Sequence, residues 1–567
     1  MVLRLSIVLA VLATVLAAPF LFRPDGPKNR VSAHDAERLV IITPHNESIQ
    51  AEFARAFTRH MKEKYGRSVF VDWRQPGGTS EIARFLRSEF ALRFENEWGE
   101  KTNLPFDSAI REAFSNPRQT PTPTQQNQEG HNQEGQVNDP TLFNTETLEA
   151  RAALARRLFL DSTAGVGIDL FFGGGAYDFE RQAGAGVLVS TDHSGRYGLG
   201  ALAREHPDWF SDAVMPESVS GEPFRDPEFR WAGTVLSAFG ICYNSDSFAR
   251  LGIPGIPDTW SALEDPRLFG QIALADPTKS GSTTKAFEML VQERIQTLQR
   301  ERHLPEAAAL RAGWDDAMRL IVRISANSRY FTDAAAKVPR DVAMGDAAAG
   351  MCIDFYGRTF NEIYRSPETG KSRIHFVMPR NGTSIGADPI GMLRGAPNPE
   401  LAHRFLEFIL STEGQKLWNY RVGAEGGPKR FALRRPPIRR DFYTAANQPF
   451  MTDPEVDPYK LSADFTYHPE WTGPLFGALR FVIRAACMDA HEEQVAAWRA
   501  LREAGLPPEG LARFEDISEI SFDTVTAEIV PGLKDGDKVK QVAMGRILSE
   551  SFREKYREIA EAYGGNR

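Results

Sequence analysis

The segment from Gln271 to Met289 constrains this chain more than any other. Gln271-Ile-Ala-Leu-Ala275 reads as a buried strand, and Asp276-Pro-Thr-Lys-Ser-Gly-Ser-Thr-Thr284 turns it into a helical run with Ala286, Phe287, Met289 and Leu290. At Ser280, Gly281, Ser282 and Thr283 hydroxyls and free backbone N–H groups gather at a helix start, where the dipole favours negative charge. Such a loop holds an anion or a polar oxygen without covalent chemistry. On its own it is equally a plain N-capped helix. Its surroundings decide between the two.

The same pattern recurs upstream. Arg38-Leu-Val-Ile-Ile-Thr43 is a strand, followed by a helix with Ile49, Phe53 and Phe57 on one face and Gly66 placed to end it. Val69, Val71 and Trp73 alternate as a second strand. Pro76-Gly77-Gly78-Thr79-Ser80 then opens a helix with Ile82, Phe85 and Leu86, and a third strand, Ile168–Phe172, ends at Gly173-Gly174-Gly175. Strands alternating with helices predict an α/β fold with a mostly parallel sheet, whose ligands sit beyond the carboxyl ends of the strands.

At 567 residues the chain is long enough for more than one core. With 42% hydrophobic and 25% charged residues it has an ordinary globular composition, and a net charge of −8 lacks the basic face a nucleic-acid partner needs. Arg4 precedes an apolar stretch from Leu5 to Phe22, broken only by Ser6, Thr14 and Pro19. In a helix it spans about 27 Å, near the thickness of a bilayer core. Residues 1–24 are therefore a signal peptide or a retained membrane anchor; Leu16-Ala17-Ala18 before Pro19 is a poor cleavage box. The cysteines, Cys242, Cys352 and Cys487, have no metal-site spacing and read as buried free thiols.

Ser115 to Pro140 holds ten Asn or Gln residues and a small duplication, Asn127-Gln-Glu-Gly and Asn132-Gln-Glu-Gly. It cannot bury enough surface to offset its ordering entropy and reads as a disordered insertion at 115–140. Farther on, Arg230–Asn244 is a long extended run, Leu251–Trp260 is turn-rich, and a helix carries Trp314, Met318 and Ile321. Asn398 is placed to cap a helix with Pro399 in its first turn and Leu401, Phe405, Phe408 and Ile409 on its apolar face. Residues 450–567 read as mainly helical, with helices over Phe481–Ala504 and Val539–Tyr563.

Trp231-Ala-Gly, Gly240-Ile-Cys-Tyr-Asn244, Gly252-Ile-Pro, Pro257-Asp-Thr-Trp260, Ala275–Gly281, Val342–Gly350 and Ser411–Trp418 follow in one order and spacing. In this the chain resembles the extracellular solute-binding proteins of bacterial ABC importers, type II fold, iron(III)-binding-like branch. The resemblance covers residues 38–440, leaving the insertion and the C-terminal region outside it. It implies two α/β lobes joined by two crossovers, near Val235–Gly240 and Ile385–Gly391, that close on a solute by hinge motion. Lobe 1 would combine 38–235 with a return at 391–449, lobe 2 would be 241–384, and 450–567 a helical extension. A periplasmic location, an inner-membrane permease as partner, and no cofactor or enzymatic activity follow from the same resemblance.

In the iron-binding branch a histidine, a glutamate and two adjacent tyrosines hold the metal. His45 stands at the histidine position, Gly174 at the glutamate position, and Phe355-Tyr356 at the tyrosine pair. With half the ligands missing, a cleft lined by His45-Asn46, Gly77-Gly78-Thr79-Ser80, Gly173–Ala176 (with Gly174 and Gly175) and Ser280-Gly281-Ser282-Thr283, with Tyr356 and Arg358 as further candidates, suits a small oxygen-rich anion. Iron(III) through His45 and Tyr356 is the alternative, as is a membrane-tethered receptor presenting its closed form to a sensor kinase. Asp354 reads as a cap or salt-bridge partner, and the six basic residues between Lys429 and Arg440 as a solvated face. Gly382-Thr-Ser-Ile-Gly386 matches a nucleophile elbow, but Asp388-Pro389 stops the helix that motif needs.

Overall fold

Leu39 and Ile41 face one hydrophobic core while Val40 and Ile42 face another, so the first strand, β1 (Glu37–Ile42), is covered on both sides as a central parallel strand must be. The computed structural model describes residues 36–117, 119, 147–461, 465–535 and 537–564. The apolar stretch 5–22 and the insertion from 120 lie outside the described residues; within them no helix is long and apolar enough to cross a membrane. Helix α1 (Glu47–Tyr65) starts at Asn46, whose Oδ1 accepts from Ile49 N, and stops at Gly66 in the left-handed region. Then come β2 (Val69–Arg74), α2 (Thr79–Thr102), β3 (Leu170–Phe172) and α3 (Ala176–Ala185). Both β2 and β3 pair with β1 in parallel.

Strand β4 (Ala232–Asn244) is buried at all 13 positions and serves both halves of the molecule. The second half contains β5 (Ile272–Ala275), α4 (Gly281–Arg302), α5 (Glu306–Asn327), β6 (Ser328–Thr332), β7 (Ala349–Ile353), α6 (Asp354–Ile363) and β8 (Ile374–Val377). Strand β9 (Ile385–Leu393) returns to the first half, followed by α7 (Pro399–Leu410) and α8 (Thr412–Asn419). The sheet order is β2-β1-β3-β9-β4-β7-β5-β6, with β8 also on β4. Residues 232–238 of β4 pair with β9, whereas 239–244 pair with β7 and β8. The β4–β9 pair thus forms two side-by-side crossovers between two α/β lobes, with the register shifting between Asp388 and Pro389.

Beyond residue 465 the chain is built into the second lobe. Leu479, Val482, Trp498 and Tyr556 share one core with Phe287, Leu290, Trp314 and Ile321. Its helices include α9 (Phe476–Ile483), α10 (His491–Glu503) and α11 (Lys538–Tyr563). The helix expected over Phe481–Ala504 is interrupted: a π turn over Arg484–Met488 separates α9 from α10. The third strand begins at Leu170 rather than Ile168. Asn398 does not cap α7 through its side chain; its Nδ2 donates to Arg38 O, tying the helix start to β1. The basic stretch 429–440 is not a uniform solvated face either, because Arg435 and Arg439 are buried, paired with Asp388 and Asp441. All three cysteines are buried free thiols.

The return segment is fastened to lobe 1 by Glu52 of α1. Its carboxylate, 1% exposed, accepts from the backbone N–H groups of Lys429 (3.0 Å), Arg430 (2.6 Å) and Phe431 (2.9 Å) and from Arg55 (2.5 Å). Burial works to raise its pKa, but these donors outweigh burial and hold it below the ordinary value. Glu52→Ala is expected to cost about 3 kcal/mol by orphaning three N–H groups, measured by urea unfolding. Because the folded pKa is depressed, the contribution is present at neutral pH and is lost as pH falls through the folded pKa. The variant should therefore show a flatter acid limb than the wild type.

Candidate functional site

Two polar groups of residues lie where the lobes meet. The inner one surrounds Arg435, which is 0% exposed. Its Nη2 stands 2.6 Å from Asp388 Oδ2 on β9 and its Nη1 3.4 Å from His45 Nε2. The guanidinium stacks over Phe355 (4.6 Å) and Trp418 (5.4 Å). His45 Nε2 is also 3.4 Å from Asp388 Oδ2. Burial depresses the histidine pKa beyond what Asp388 restores, which keeps the ring neutral. For Asp388 burial pulls upward, but Arg435 and His45 prevail and hold the carboxyl below its usual range. Tyr356 lies close by, its hydroxyl pKa raised by burial and its side chain bonded to Asn46.

The outer group lines a cavity of about 990 Å³ between the lobes, roofed by the C-terminal region. Lys285, one turn into α4, meets Glu222 (2.8 Å) and Glu288 (3.0 Å) and lies 3.4 Å from the centre of the Tyr467 ring. Burial disfavours its charge, yet the two carboxylates hold its pKa above the ordinary lysine value. Glu288 Oε1 accepts from Tyr467 (2.9 Å) and Thr472 (2.6 Å), and Glu222 from Ser384. Arg480, on α9, donates through Nε to Thr284 Oγ1 at 2.8 Å and stacks over Phe476 (4.7 Å). Its Nη2 is buried without a hydrogen-bond partner, 3.8 Å from Asp178 Oδ2. Burial raises the pKa of Asp178 despite the pull of Arg480, Arg181 and Arg84.

Of the residues singled out in the sequence, Ser80, Gly174, Gly175, Gly281 and Ser282 line this cavity; His45, Asn46, Gly77, Gly78, Thr79, Ser280, Thr283 and Tyr356 do not. Several donors are already engaged. Gly78 N donates to Glu81 Oε2 (2.9 Å), and Thr283 N to Ser280 Oγ (3.3 Å). At residue 78 the lobes touch: a Cβ there would collide with the Lys279 carbonyl oxygen. Asn46 spends its side-chain oxygen on capping α1. Asp354 pairs with Arg358 within α6. Ser384, the elbow-pattern serine, enters strand β9 and is tied to Glu222. Sequence reasoning missed Asp178, Glu222, Lys285, Glu288, Asp388, Arg435, Tyr467 and Arg480. Lys285 was within reach, since it follows Gly281 by one helical turn; the others are brought in by tertiary contacts.

Removing one member of a buried ion pair leaves the other uncompensated. Arg435→Met is expected to destabilise the fold by about 3–5 kcal/mol at neutral pH, read from chemical denaturation. The loss should shrink as pH falls, because without Arg435 burial is left to raise the Asp388 pKa and protonation then removes the orphaned charge. Arg435→Met combined with Asp388→Asn should recover part of the stability at pH 7.

Residues 210–424 match the family model described as bacterial extracellular solute-binding protein. An uncharacterised protein of Haemophilus influenzae is 27% identical over 200 residues, 35% of this chain and 51% of its own. The putrescine/agmatine-binding protein of Pseudomonas aeruginosa is 22% identical over 191 residues, 33% of this chain and 49% of its own. The chain thus spans about half the length of the curated relatives it matches. Among solved structures, the periplasmic binding protein AfuA from Actinobacillus pleuropneumoniae, with fructose-6-phosphate bound, has a TM-score of 0.43 at 17% identity, covering 71% of this chain and 86% of its own. Iron-bound HitA from Pseudomonas aeruginosa has a TM-score of 0.43 at 14% identity, covering 78% and 98%. Over residues 210–424 the chain is thus similar to the bacterial extracellular solute-binding proteins, and its paired crossovers join two α/β lobes.

Proposed function

We propose that the chain is the substrate-binding component of a bacterial ABC importer. In the periplasm it captures a small oxygen-rich anion, a phosphorylated or carboxylated metabolite, and passes it to an inner-membrane permease. The solute sits between lobe 1 (38–235 with 391–449) and lobe 2 (241–384), which hinge at Val235–Gly240 and Ile385–Gly391. One observation carries the reading. The first turn of α4 opens on the cavity at Gly281 and Ser282, and neither backbone N–H has a hydrogen-bond partner among the described residues. A 22-residue helix pointing its positive end at an interlobe cavity favours a negative guest. The cavity volume fits a metabolite with a carbon body rather than a bare ion.

The iron(III) alternative has less support. Gly174 brings no carboxylate, Phe355 replaces one tyrosine, and a guanidinium already stands 3.4 Å from His45 Nε2, where a second cation would be repelled. In a thermal-shift screen of phosphate esters, carboxylates, diamines and ferric citrate, an anionic metabolite is expected to raise the melting temperature. A hundredfold excess over Kd corresponds to about 2.7 kcal/mol. A response to diamines or ferric ion alone would overturn the proposal.

A further inference from the structure

We infer that Arg480, supplied by the C-terminal region beyond the solute-binding fold, grips the oxyanion of the solute, with Ser80 of lobe 1 as its opposite donor. The inference rests on the reading of the cleft as an anion site and assigns its principal charge partner. Two hydrogen-bond donors of residues that line the cavity are buried without a hydrogen-bond partner, the Oγ of Ser80, a residue 4% exposed, and Nη2 of Arg480; the acceptor Glu288 Oε2, also without one, is ion-paired with Lys285. One donor comes from lobe 1 and the other from the C-terminal region. Between them lies the start of α4: a Cβ built on Gly281 would stand 3.7 Å from Arg480 Nη2 and 3.8 Å from Thr79 Cβ. Leaving a buried guanidinium N–H unmade costs more than a hydrogen bond returns, so a site keeping two such groups around an unfilled helix start is arranged for an acceptor.

Arg480 is also held in place. Nε is committed to Thr284, and the guanidinium plane rests on Phe476 and faces Tyr177 at 5.7 Å. That fixes the fork, with Nη2 buried beside the start of α4, 3.7 Å from the Cβ position of Gly281. The competing account makes Arg480 a neutraliser of Asp178. At 3.8 Å, without a hydrogen bond, that pair is loose, and the Asp178 carboxylate lies 3.1 Å from the Cβ position of Gly281, close to where an anionic guest would bind. Asp178 is therefore a rival of the solute rather than its partner.

The test is a double-mutant cycle on the full chain, read by calorimetric titration with glucose 6-phosphate, citrate and inorganic phosphate, with glucose as the neutral control. Wild type is expected to bind at least one of the anions. Arg480→Met should weaken that anion at least tenfold, Arg480→Lys should restore part of it, and Ser80→Ala should weaken it about threefold. Asp178→Asn should tighten it. The decisive variant is Arg480→Met with Asp178→Asn. If the arginine grips the solute, the double variant stays at least tenfold weaker than Asp178→Asn alone. Equal affinity for these two would overturn the inference and make Arg480 a neutraliser. If wild type bound none of the anions, the anion reading of the cleft would fail first. Circular dichroism of each variant separates a lost contact from a lost fold.

Discussion

A charge with no access to water holds the centre of this molecule. Arg435 is fully enclosed, and its guanidinium is paired with Asp388 on a crossover strand, lies 3.4 Å from His45 in the first loop and stacks on the faces of Phe355 and Trp418. Each partner belongs to a different stretch of sequence, so one side chain fixes the return segment, the crossover and both lobes at one point. Taking such an ion from water costs several kcal/mol, which only a well-made set of partners offsets. The irregular register between Asp388 and Pro389 serves that geometry. Asp388 O accepts from Thr234 and Pro389 O from Gly173, so the crossover stays bonded to its neighbours while its carboxylate turns inward.

The outer cleft follows a different logic. Charges around Lys285 are paired among themselves: Glu222, Glu288 and Tyr467 absorb its field, and Ser384 and Thr472 complete the carboxylates. That closed network acts as a wall. By contrast, the corner formed by Ser80, Gly281, Ser282 and Arg480 has donors left over. The proposed recognition of an anion would fall at this corner. The C-terminal region contributes to both parts, through Tyr467 to the wall and through Arg480 to the corner.

Much of the frame was legible. The i, i+4 spacing of Ile49, Phe53 and Phe57, with Gly66 behind them, placed α1, and the long extended run after Trp231 placed the crossover strand. The glycine and hydroxyl pattern at Ser280–Thr283 located the helix start that opens on the cavity. Burial within a charged stretch was not legible, because Arg434 and Arg435 look alike in sequence and only tertiary contact encloses one of them. Arg480 left no local trace either. It lies on a helix outside the matched pattern, and its role depends on how α9 packs over the mouth of the cleft. The Asn398 reading failed through competition, since a carbonyl on β1 claimed the side chain that local capping rules had assigned to the helix.

The bare backbone at Gly78 sits against the Lys279 carbonyl with no space for even a methyl group. Main chain meeting main chain is an incompressible stop. If the lobes close on a solute as proposed, this contact sets the gap to which they shut, whatever they enclose. A guest smaller than the chamber leaves the remainder to water, and one larger holds the jaws apart and never produces the latched shape. Size selection would therefore be all-or-none at the upper limit and lenient below it, a ruler built from one absent side chain.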